Sequence, residues 1–61
     1  MTKMTVANLT EKGGAWIVTT TAGQVLGTFP YDGTAQRTVQ KERAFLCMRT
    51  FNCAQMGKAV S

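Results

Sequence analysis

Few residues in this chain are of types that do chemistry. There are two cysteines, three carboxylates, one tyrosine and seven Lys or Arg, with no histidine. The cysteines, Cys47 and Cys53, lie six apart in a stretch with helical character. Six residues of helix rise about 9 Å and turn the two side chains to different sides. That separation excludes an intrachain disulfide. Two thiols without a histidine make no zinc site. They are expected to be reduced, buried thiols, with an intermolecular disulfide as the alternative. The carboxylates Glu11, Asp32 and Glu42 fall in three separate segments. Without histidine the commonest general base and metal ligand is missing. The expectation is a protein that is not an enzyme and holds no metal or cofactor.

The remaining chemistry is recognition. Seven basic residues against three acidic ones give a net charge of +4, which suits an anionic partner. Arg37 and Lys41 are four apart and share one side of a helix. Arg43 and Arg49 lean to other sides, and Lys3, Lys12 and Lys58 stand near ends and turns. Tyr31, beside Pro30 in the loop before the helix, is the aromatic residue most readily left exposed. Arg37, Lys41 and Tyr31 are therefore the candidate ligand-binding residues. Trp16 and Phe29 are also able to stack a base, but a chain with so few large residues needs them in its core. Thr19, Thr20, Thr21 and Thr28 offer hydroxyls, although threonine in a strand is ordinary β-propensity. The glycine pairs are turn glycines and form no phosphate loop.

Elements must position these groups, and 61 residues allow one domain. The N-terminal half is rich in Thr, Val and Gly and the C-terminal half in Ala, Gln, Arg and Met, with the change at Pro30-Tyr31-Asp32-Gly33. The pattern predicts strands over 2–10, 15–21 and 24–29 and a helix over 34–56 that starts at Thr34 and stops at Gly57. The fold class is α+β: a small antiparallel sheet followed by one long C-terminal helix. The second hairpin has two possible registers. A type I turn over Thr21-Ala22 with Gly23 left-handed pairs Thr20 with Gln24. It groups Ile17, Val25 and Phe29 on one face and Trp16, Val18 and Leu26 on the other. The other register sets Trp16 opposite Phe29, with Gly27 leaving room between them. Turn chemistry favours the first. Either way both sheet faces carry large apolar groups, and one helix covers only one of them.

The helix differs along its length. Its first half is polar with a narrow stripe at Ala35 and Val39, whereas 44–56 is apolar almost all round. A helix apolar on every side is buried on every side, and one small sheet cannot bury it. This points to a second copy of the chain, with Phe45, Leu46, Met48, Phe51 and Met56 at the interface of a homodimer or larger homo-oligomer. A domain this small also gains stability from oligomerisation. The longest apolar run, at 44–48, is five residues, so no membrane partner is expected. No signal-peptide core follows Met1, and the expected location is cytoplasmic.

The run Ala15-Trp16-Ile17-Val18, then Gly23-Gln24-Val25-Leu26-Gly27-Thr28-Phe29 followed by a helix, resembles short accessory proteins of phages and mobile elements over residues 15–45. The resemblance implies a single-domain binder that inhibits or sequesters something in a host cell. The order of three strands and a helix also resembles the arm-type DNA-binding domains of phage integrases, but strands two and three here carry no Lys or Arg. The expected function is stoichiometric binding of a host protein or a small anionic, nucleotide-like ligand. The alternative is a basic nucleic-acid-binding accessory factor.

Overall fold

The computed structural model describes residues 5–60, and side chains as far as residue 57. Three strands, β1 (Ala7–Lys12), β2 (Ala15–Thr20) and β3 (Val25–Pro30), are followed by one helix, α1 (Gly33–Val60). The strands form an antiparallel sheet in the order β1-β2-β3, with α1 laid across one face. The fold is α+β, as expected. The first strand runs later than predicted, over 7–12 rather than 2–10; residues 1–4 lie outside the described ones. The helix begins one residue before Thr34 and continues through Gly57 to Val60. Its 28 residues span about 42 Å, twice the length of a six-residue strand, so its C-terminal end overhangs the sheet.

Local chemistry explains the hairpins. Gly13 and Gly14 both take positive φ, 59° and 74°, which a two-residue turn joining twisted strands requires. That turn sets Lys12 opposite Ala15 and hence Glu11 opposite Trp16. The second turn is a type I turn: the Gly23 N–H donates to the Thr20 carbonyl at 2.9 Å and Gly23 is left-handed at φ 88°. The Thr20 N–H donates to the Gln24 carbonyl at 2.9 Å.

The register of that hairpin corrects the expectation. Thr19 pairs with Val25, but Val18 pairs with Gly27, Ile17 with Thr28 and Trp16 with Phe29. Leu26 is an extra residue on β3, a bulge. The turn begins the favoured register and the bulge converts it to the other. One inserted residue switches every later side chain on β3 to the opposite face. Phe29 thereby joins Trp16 and Val18 under the helix, and Leu26 packs against the same cluster. The second apolar face is reduced: Phe29 has left it, and Ile17, half-buried, and Val25, exposed, remain there among Asn8, Thr10, Lys12, Thr19 and Thr28. Gly27 gives the room that this register needs. A Cβ there would stand 3.0 Å from Phe29 Cε1, so the Phe29 ring lies across the glycine.

The core is thin. Ala7, Trp16, Val18 and Ala44 form it, with Leu9, Leu26, Phe29, Tyr31, Cys47, Met48 and Phe51 packed around them. Ala44 is completely buried, where α1 packs on the Trp16 and Val18 side chains of β2.

Candidate functional site

The structure brings Tyr31, Arg37 and Lys41 together around Trp16. The loop after β3 carries Tyr31 back beside β2, where its N–H donates to the Gly14 carbonyl at 3.1 Å. The Trp16 indole N–H donates to the Arg37 carbonyl at 2.9 Å, which fixes the start of α1 on the sheet. Arg37 Cζ lies 5.0 Å and Lys41 Nζ 5.5 Å from the Trp16 ring centroid, the geometry of cation–π contacts. The Tyr31 ring stands tilted against Trp16 at 6.2 Å.

At the centre of the cluster is a residue that the sequence did not single out as part of it, Glu11. Its Oε2 accepts from Arg37 Nε at 2.6 Å and its Oε1 from Arg37 Nη2 at 3.1 Å. The same Oε2 accepts from the Tyr31 hydroxyl at 2.5 Å. Hydrogen bonds from Arg37, then from Tyr31, hold the Glu11 carboxyl at about 2, well below its ordinary 4.5. The reciprocal bond to Glu11 pushes the Tyr31 phenol and the Arg37 guanidinium up from their ordinary values. A bidentate carboxylate occupies the guanidinium fork that a phosphate would otherwise take. The arrangement ties β1, the loop and α1 into one knot, and Lys41 is its cation without a carboxylate partner among the described residues. The signal for Glu11 was present in the Gly13-Gly14 turn, because a two-residue loop places Glu11 opposite Trp16.

The second half of α1 is built differently. Ala44, Met48 and Phe51 face the sheet with Cys47, so Met48 and Phe51 pack against the core. Phe45, Leu46 and Met56 are 49%, 63% and 57% exposed. The five residues expected at an interface thus divide, two inward and three outward. Cys47 is half-buried and Cys53 exposed, so the thiols are not both buried as expected. The one residue of this half whose side chain hydrogen-bonds to the sheet, among the described residues, is Asn52. Its Oδ1 accepts from the Ala7 N–H at 2.8 Å and its Nδ2 donates to the Ala7 carbonyl at 3.4 Å.

Between β3 and α1 runs an open groove of about 550 Å³, lined by Leu26, Arg43, Leu46, Cys47, Thr50 and Phe51. The β3 bulge shapes it by turning Leu26 toward the helix. Its floor is apolar and its rim carries one guanidinium. The Arg43 Nη1 donates to Gln40 Oε1 at 3.3 Å and has no carboxylate partner among the described residues. Among those residues no three His, Cys, Asp or Glu side chains gather as metal ligands, and no helix is long and apolar enough to cross a membrane. The chain shows no significant match to a protein-family model, a curated protein or a solved structure.

Proposed function

We propose that this protein is a non-enzymatic binding protein that acts stoichiometrically on another protein, in the manner of a phage-type inhibitor or sequestering factor in the cytoplasm. The observation that carries the reading is the groove between β3 and α1. An apolar floor of Leu26, Cys47 and Phe51 takes a hydrophobic side chain, and Arg43 on the rim, bonded only to the Gln40 amide and without a carboxylate partner among the described residues, is placed to meet an adjacent carboxylate. The occupant of matching chemistry is an acidic, apolar peptide segment. A nucleotide-like ligand is less well supported, because Glu11 already occupies the Arg37 fork of the other candidate cluster.

The test uses the immobilised 61-residue chain. A partner protein should be retained at one-to-one stoichiometry by the wild type and lost with Arg43→Glu, whose circular dichroism should be unchanged. Mass spectrometry of the denatured protein should release no small molecule. A gel shift with random duplex DNA at low salt should show nothing. A shift that weakens steeply with rising salt would instead establish the nucleic-acid-binding reading and overturn this one. A partner retained equally by Arg43→Glu would remove the groove as its site.

A further inference from the structure

The face of α1 that points away from the sheet carries a pattern complementary to itself. Val39, Leu46 and Cys53 recur every seven residues along it and all are exposed, as is Phe45 beside Leu46. Glu42 and Arg49 stand on the same face, also exposed, and neither makes an ion pair among the described residues. Seven residues apart, they are about 10 Å from each other along one row, too far to pair within one helix. Their midpoint falls between Phe45 and Leu46.

We infer that this face binds a second copy of the chain as an antiparallel helix pair about a two-fold axis at Phe45 and Leu46. In that arrangement each Glu42 lies opposite the partner's Arg49, giving two charge pairs that flank an apolar centre. Val39 of one copy lies near the level of the partner's Cys53. A parallel pair would instead set Glu42 against Glu42 and Arg49 against Arg49, and like charges so placed are repulsive. The contact runs from residue 39 to residue 53, about 21 Å of helix. The patch is the same on both copies, so the pair closes as a dimer and does not propagate. The groove opens on the β3 side of the helix, and only Leu46 borders both surfaces.

Light scattering and sedimentation across a dilution series, in reductant, test the arrangement. The wild type should run at twice the chain mass. Glu42→Arg and Arg49→Glu should each keep the circular dichroism of the wild type and raise the dimer dissociation constant at least about tenfold, because each sets two like-charge pairs across the axis. The double variant Glu42→Arg with Arg49→Glu restores both pairs in reverse and should return the constant toward wild type. Lys12→Glu changes net charge as much as Arg49→Glu but lies on the sheet's far face, and should leave the dimer intact. A wild-type monomer, single variants that dimerise normally, a double variant as weak as the singles, or a dimer lost in reductant would each overturn the inference.

Discussion

The two halves of α1 meet their surroundings in opposite ways. Around the first half, every strong polar group of the Trp16 cluster except the Lys41 ammonium has a partner inside the chain. The indole N–H, the Glu11 oxygens, the Tyr31 hydroxyl and the Arg37 fork are all engaged. Along the second half, Phe45, Leu46 and Met56 stand in solvent and the groove beside them is open. A cluster of charge and aromatic rings attracts attention in a sequence, yet here it closes the molecule on itself. The surface available for binding is where the chain leaves apolar groups uncovered. The comparison predicts that substitutions in the first half register in the stability of one chain.

The largest effect is expected at Trp16. Its ring packs with Val18 and Ala44, and its indole N–H anchors the helix. Truncating a buried tryptophan costs about 3–5 kcal/mol. A 61-residue domain has a total stability of roughly 3–9 kcal/mol. Trp16→Ala should therefore abolish the cooperative thermal transition or leave the chain largely unfolded at room temperature. If far-UV circular dichroism shows a melt within a few degrees of wild type, the knot does not hold the fold together and the contrast between the halves fails.

How much of this was legible in the sequence follows from the range of each interaction. The hairpin at Ala15 to Phe29, the long helix and the apolar character of 44–56 rest on local composition and period. Those signals are strong. The bulge at Leu26 was not legible, because it is decided by which face can be buried. The turn at Gly23 is satisfied by one register, while Trp16, Val18 and Phe29 can share one helix only in the other. Tertiary burial won over local turn chemistry, and one inserted residue accommodated both. The helix end was also hidden. Gly57 is a good stop signal, but with nothing within 4 Å of it no packing forces the chain to turn there. The site was half legible: Arg37, Lys41 and Tyr31 were grouped, but Glu11, the partner of Arg37 and Tyr31, sits on β1, 20 residues before Tyr31.

A moderate effect is expected at Asn52, which holds the second half of the helix to both polar groups of Ala7 at the edge of the sheet. Asn52→Ala should destabilise by about 1–2 kcal/mol, since it leaves a part-buried N–H unpaired. Urea unfolding measures it as a lower midpoint at unchanged slope. Amide exchange separates the two halves of α1. Loss of this tie should accelerate exchange at Ala7 and along the second half of α1, while the indole N–H of Trp16 keeps its protection. Equal acceleration at both ends would mean that the two halves open as one unit.

The smallest effect concerns the charge inside the knot. Glu11 titrates at about 2 in the folded chain and near 4.5 when free. Between those values the unfolded chain binds the extra proton, so unfolding is favoured as the pH falls. The contribution of Glu11 is complete above about 4.5 and is lost progressively down to about 2. Thermal midpoints of the wild type should therefore decline through that window, and Glu11→Gln should flatten the decline. The Arg37 and Glu11 side chains are 45% and 34% exposed, so solvent screens the pair and the loss at neutral pH should be only a few degrees in Tm. Added salt should shrink the difference between the two proteins. A Glu11→Gln variant with the full acid slope of the wild type would show that the carboxylate is not what fastens β1 to the helix. The closure of the first half would then rest on the Trp16 ring with its hydrogen bond and on the bond that Gln40 Nε2 donates to the Pro30 carbonyl at 2.8 Å.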